Sequence, residues 1–278
     1  MKIKFAKFCV KHTVLGFIAT FLMYFLPISA IYYLLEIDFA APYVFMGLFL
    51  ALIAFGMVKT APNIVMMPDI KHLNEECDPF PLLETAKELM GQIKGETNCL
   101  TAKMNYCVGL SAALGDYEKN LQTLEEIKIE TYAGVLPLVK HVYYNNLSDA
   151  YLSVGNIDLA KLYHQKSEEL LEKIKNKKQK ETAAKSHVFA TAQLYVYSGE
   201  YEKGLELLKN VDVTEKRTSV AVAMCAAKAN IALGRPEIAK NSLEYVIAHG
   251  NRLYSVTKAK KLLEQTVVLD SCGQADAE

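Results

Sequence analysis

The chain has 278 residues, with Lys plus Arg at 31 and Asp plus Glu at 31. That balance lacks the basic excess of a nucleic-acid binder, and 14 Gly with 8 Pro are too few for a collagen-like or low-complexity chain. Charged residues are 22%, near a soluble average, yet 51% of residues are hydrophobic, which points to apolar residues gathered in one part of the chain.

They gather at the start. Thr13 to Leu35 carries no charge, and a helix of that length spans about 34 Å, enough for a hydrocarbon core of ~30 Å. Phe39 to Val58 is a second uncharged run, roughly 30 Å as a helix. Pro27 and Pro42 lie inside these runs, where membrane helices tolerate proline. Only Glu36 to Asp38 separates them, room for a tight turn. The expectation is a transmembrane helical hairpin over residues 1–60, with spans at about 13–35 and 39–58. A cleaved signal peptide is the alternative. Lys2, Lys4 and Lys7 make a basic leader and Ile28-Ser29-Ala30 loosely resembles a cleavage site, but the apolar run continues past them to Leu35.

Lys2, Lys4, Lys7 and Lys11 precede the first run, Lys59 and Lys71 follow the second, and the turn between has two acids and no Lys or Arg. The positive-inside rule then places both ends in the cytoplasm, as expected of a multi-pass plasma-membrane protein. Six cysteines, at 9, 77, 99, 107, 225 and 272, form no C-x-x-C pair. They read as reduced thiols serving as small apolar side chains.

Residues 61–78, with Pro62 and Pro68, read as a linker. Asp78 and Pro79 then mark a helix start, as N-cap and first helical residue, and Leu82, Leu83, Ala86, Leu89, Met90 and Ile93 have helical spacing up to Gly95. Beyond this, one turn recurs four times: Leu114-Gly115-Asp116-Tyr117, Val154-Gly155-Asn156-Ile157, Ser198-Gly199-Glu200-Tyr201 and Leu233-Gly234-Arg235-Pro236. Each has a glycine after an apolar helix and then a polar helix start, the pattern of helix, C-cap, short turn, helix. The glycines are 40, 44 and 35 residues apart.

At these residues the chain resembles the tetratricopeptide repeat family, whose helix–turn–helix units recur at ~34 residues. The second segment carries the resemblance best, through Tyr144, Leu147, Tyr151, Gly155, Asn156 and Ala160, with Ser148 where the family has glycine. The third has Gly204, and the first Asn120, where alanine is usual. The expected fold is all-α: the transmembrane hairpin, then a tetratricopeptide-like helical-hairpin solenoid over 79–270 with flanking helices at 79–94 and 252–269, then a flexible tail at 271–278. In the last helix Tyr254, Leu262, Leu263 and Val267 are expected inward, with Lys258, Lys260, Lys261 and Glu264 in water.

No motif carries chemistry. There is no G-x-G-x-x-G, Walker loop, H-E-x-x-H or G-x-S-x-G. Histidines at 12, 72, 141, 164, 187 and 249 lack metal spacing and read as surface or satisfied helix residues. Neither catalysis, metal nor cofactor is expected. Lys173, Lys175, Lys177, Lys178, Lys180 and Lys185 crowd one link. They read as the solvated end of a long helix, whose C-terminal dipole favours cations, or as a lipid-facing basic patch.

The resemblance implies a concave groove lined by the first helix of each pair. Its groove positions correspond to Asn105, Asn145, Asp149, Gln193, Tyr197 and Lys228. Members that clamp a C-terminal carboxylate use paired lysines where this chain has Asn105 and Gly109, so that mode is not expected. The expected function is a non-enzymatic, membrane-anchored scaffold that binds a protein or peptide at the cytoplasmic face. The alternative is a structural subunit of a larger membrane complex joined through the hairpin.

Overall fold

The computed structural model describes residues 2–34, 40–93, 96–132 and 134–275, and among these residues there are helices and no strand. The chain opens with α1, Lys2–Lys11, α2, Thr13–Leu34, and α3, Ala40–Glu76. The turn expected at Glu36 to Asp38 lies outside the described residues. Two helical stretches, Thr13–Ile31 and Phe45–Glu76, are long and apolar enough to cross a membrane. Large apolar side chains on both are exposed, among them Val14, Leu15, Phe45, Leu48, Phe49 and Leu52.

The linker expected at 61–78 is instead the second half of α3. Pro62 and Pro68 each remove one helical hydrogen bond, but Ala61, Val65, Leu73 and Cys77 recur at helical spacing and are buried. Burial of that stripe outweighs the two missing bonds. The helix stops at Cys77, whose φ of 56° is left-handed. Asp78 Oδ1 then accepts from the Phe80 N–H at 3.2 Å and starts α4, Phe80–Gln92; Gly95, expected to end this helix, lies outside the described residues.

Next come α5, Glu96–Leu114, and α6, Tyr117–Glu125; a 3-10 turn, Ile129–Thr131; α7, Pro137–Ser153, and α8, Ile157–Leu171; α9, Lys177–Tyr197, and α10, Tyr201–Leu208; α11, Lys216–Ala232, and α12, Pro236–His249; and α13, Tyr254–Ala275. The tail expected from 271 is therefore helical as far as Ala275. With no proline there, each added residue gains a backbone bond and the helix propagates. By contacts the chain forms two units, Met1–Pro68 with Thr85–Ala102, and Asp69–Glu84 with Lys103–Glu278. The boundaries fall inside α3, α4 and α5, so the flanking helix expected at 79–94 is shared between the units. In the first unit α1 folds back on α2, where Gly16 lets Cys9 approach: a Cβ at 16 would lie 2.8 Å from the Cys9 Cα.

In the second unit the helices pack consecutively, α7 on α8, α9 on α10, α11 on α12. The four glycine turns explain why. Gly115, Gly155, Gly199 and Gly234 all have φ between 63° and 86°, a region costly for any side chain with a Cβ. In the last three turns the residue after glycine donates back five positions: Asn156 to Tyr151 O at 2.9 Å, Glu200 to Tyr195 O at 2.9 Å, Arg235 to Asn230 O at 2.8 Å. This is the Schellman closure, which satisfies orphan carbonyls at a helix end. Asp116 and Asn156 then cap the following helices, accepting from Lys119 N and Leu159 N.

Departures from the family pattern have local reasons. Ser148 Oγ donates to Ala160 O at 2.9 Å, tying α7 to α8. Asn120 is buried and its Nδ2 donates to Ser111 Oγ. At Gly204 a Cβ would lie 2.5 Å from Val196 Cγ2 and 3.1 Å from Ala192 O, so alanine does not fit. The core between the third and fourth pairs is Ala192, Val196, Leu208, Val211, Cys225 and Ala229.

Candidate partner-binding cavity

The first helices of successive pairs turn one face toward a shared space. On α7 this face holds Asn145 and Asp149, on α9 Phe189, Gln193 and Tyr197, on α11 Arg217, Met224 and Lys228. Spacings of three and four residues put each set on one side of its helix. Residues of α5, α6 and α13 complete a cavity of about 450 Å³. Five of the six groove positions inferred from the repeat pattern line it: Asn145, Asp149, Gln193, Tyr197 and Lys228. Asn105 does not.

The array also closes on itself within this unit, which the repeat pattern did not reveal. Tyr254, at the start of α13, packs edge-on against Tyr117, ring centroids 6.3 Å apart, and its ring lies over Gly115. Arg252 pairs with Asp78 at 2.9 Å and stacks on the Phe80 ring at 4.1 Å, and Asn251 Nδ2 donates to Glu76 O. Lys258 therefore does not stay in water as expected of it. It enters the cavity wall, 4.8 Å above the Tyr117 ring, with its Nζ 3.4 Å from the Tyr117 hydroxyl. Lys260, Lys261 and Glu264 are exposed as expected.

Charge in the cavity is unusual for a solvent-lined space. Asp149 is open to the cavity yet ringed by protein, and burial pushes its carboxyl upward, opposed by Arg217, by the Gln193 amide at 3.5 Å and by Lys258. Lys228 and Lys258 are both pushed downward, first by burial. Lys228 Nζ sits 3.5 Å above the Tyr197 ring, a cation–π contact worth about 0.5–2 kcal/mol. Burial raises the Tyr117 hydroxyl and the Cys107 and Cys225 thiols to about 12. Both cysteines are therefore protonated, poor nucleophiles near neutrality. Cys9 and Cys77 are likewise free and buried, and Cys99 is buried.

Arg217 and Lys258 are the site residues that the sequence reading missed. Arg217 lies eleven residues before Lys228, three turns along the same helix, so extending the groove stripe along α11 reaches it. For Lys258 no local signal exists.

The basic run is placed differently from expectation. Only Lys173 and Lys175 follow α8; Lys177, Lys178 and Lys180 belong to the first turn of α9, capped by Asn176. Cations there face the positive end of the helix dipole, an arrangement that disfavours them. Lys180 pairs with Glu172 at 2.7 Å and Lys185 with Asp212 at 2.9 Å, while Lys173, Lys175, Lys177 and Lys178 are exposed.

Three of the histidines expected to be surface or satisfied are buried together. His141 on α7, His164 on α8 and His187 on α9 form a row, with His164 and His187 stacked at 4.4 Å and His141 5.8 Å from His187. The His141 Nδ1 lies 3.0 Å from Ser167 O, and its Nε2 lies 3.2 Å from Asn145 Nδ2. The Nδ1 atoms of His164 and His187 have no partner among the described residues. No group of three or more His, Cys, Asp or Glu among the described residues could hold a metal. Burial first, then His164 and His141, lowers His187 to about 4. The fold thus favours neutral His187, and stability is full above the ordinary value near 6.5 and falls as pH drops toward 4, by roughly 3 kcal/mol in all. Urea midpoints of the full chain in detergent, followed by circular dichroism, are expected to fall between pH 7 and pH 4, and His187→Phe to flatten that slope. Equal slopes for both proteins would contradict the buried row.

No family model matches the chain, and neither curated proteins nor solved structures give a match to it.

Proposed function

We propose that this is a non-enzymatic, tetratricopeptide-like scaffold, anchored in the plasma membrane by α2 and α3, which binds a protein or peptide segment at the cytoplasmic face. The carrying observation is that five positions chosen for a partner groove line one cavity. Asn145, Gln193 and Asn146 offer amides that pair with a peptide backbone, and Phe189, Met224 and Tyr197 offer apolar surface beside them. The protonated cavity thiols favour binding over nucleophilic chemistry. The lysines of α1, the acids between α2 and α3, and Lys59 and Lys71 beyond the apolar part of α3 favour cytoplasmic ends, and the exposed Lys173, Lys175, Lys177 and Lys178 suit contact with anionic lipid.

A photo-crosslinking residue tests this in cells expressing the full chain. Placed at Gln193, inside the cavity, it is expected to yield a covalent adduct with a partner polypeptide. Placed at Glu206, exposed on α10, it is expected to yield none. Adducts from Leu22 on α2 with none from Gln193 would move the interface to the hairpin and favour the structural-subunit alternative, for which the exposed apolar faces of α2 and α3 are the supporting observation.

A further inference from the structure

The polar wall of the cavity is biased in charge. Three cations, Arg217, Lys228 and Lys258, face a single carboxylate, Asp149. Among the described residues none of the three has an ion-pair partner. Arg217 reaches only the Asn74 amide oxygen at 3.4 Å, and the two lysines rest on aromatic rings. All three are half-buried; Asp149 acts on Arg217 and Lys258, which leaves cations in excess of carboxylates in the wall, and the charge of Lys258 acts directly on Lys228. A second observation points the same way. Ser255 Oγ, one turn before Lys258 in the wall, is buried with no hydrogen-bond partner among the described residues. An unpartnered hydroxyl in a wall where three cations face one carboxylate suits an anionic oxygen.

We infer that the cavity selects a peptide segment bearing an acidic side chain, whose carboxylate seats against Lys228, Lys258 and the Ser255 hydroxyl. The inference rests on the peptide-binding reading above and adds the chemistry of the ligand. Phe189 and Met224 take the apolar residues beside it. The recognised group is a side chain within a segment, so neither end of the peptide needs to be free.

The test uses the full chain in lipid nanodiscs and two pools of decapeptides, acetylated and amidated to remove terminal charges. One pool carries Glu at alternate positions, the other Gln, with Ala, Leu, Phe and Ser varied between. At low ionic strength the Glu pool is expected to bind about tenfold more tightly. In Lys228→Gln/Lys258→Gln that advantage is expected to shrink to about twofold or less, in a chain that circular dichroism shows to be still folded. Lys258→Gln alone gives the same comparison with a smaller packing change. Equal binding of the two pools to the native chain would overturn acid selection and leave the peptide-binding reading standing. A preference that survives in both variants would overturn the assignment to these lysines. Failure of both pools to bind a folded chain would overturn the peptide-binding reading itself, and this inference with it.

Discussion

Gly115→Ala is expected to destabilise the helical array by about 2–5 kcal/mol, well beyond the cost of the same change at Gly155. Both glycines are left-handed, with φ of 63° and 83°, so alanine at either costs about 1–2 kcal/mol in backbone strain. The surroundings differ. A Cβ at Gly155 meets nothing within 4 Å, whereas at Gly115 it would fall 2.1 Å from the Tyr254 ring. That ring must move, and with it the packing of α13 on the α5–α6 turn, for a further ~1–3 kcal/mol of overpacking. Melting temperatures of the two variants measure the difference. If the two fall equally, Tyr254 does not sit on the turn and the array does not close there.

Leu208→Ala is expected to cost about 2–5 kcal/mol, because it leaves a hole in the core. Leu208 ends α10 and is 6% exposed, packed with Ala192, Val196, Val211, Cys225 and Ala229. Alanines and a cysteine on the facing helices leave little side-chain volume to fill the space. Thermal melting of the full chain in detergent reads the loss. An unchanged melting temperature would mean that the α9–α10–α11 interface is packed differently.

What the sequence made legible was local. The glycine at each turn, the Asn or Asp that caps the next helix, and the stripe spacing within each helix are short-range signals, and the structure follows them at Gly155, Asn156 and Tyr197. Because the repeat pattern keeps the same register from unit to unit, it also placed Asn145, Asp149, Gln193 and Lys228 on one wall. Long-range and competing effects were not legible. Two prolines suggested a linker at 61–78, but a buried stripe from Ala61 to Cys77 overrode them. Lys258 belongs to the cavity only because Arg252 and Tyr254 bring the end of the array back to Asp78 and Gly115, some 140 residues or more earlier in the chain. His141, His164 and His187 come from three different helices, and no spacing rule links them. The lysine run was readable as a charged stretch but not as a helix start, since the capping residue that decides it, Asn176, is flanked by lysines.

Tyr197→Ala tests the central claim most directly, measured for both melting temperature and crosslinking from position 193 in the same full-length background. Tyr197 lines the cavity beneath Lys228 and also rests against the core cluster. Its truncation is therefore expected to lower the melting temperature by less than Leu208→Ala does. Partner binding is expected to weaken by at least ~2 kcal/mol, about thirtyfold, as for other aromatic hot spots. A melting temperature as low as that of Leu208→Ala would make Tyr197 a core residue and the repeat register wrong. Unchanged crosslinking in a folded Tyr197→Ala protein would contradict the cavity as the place where the partner binds.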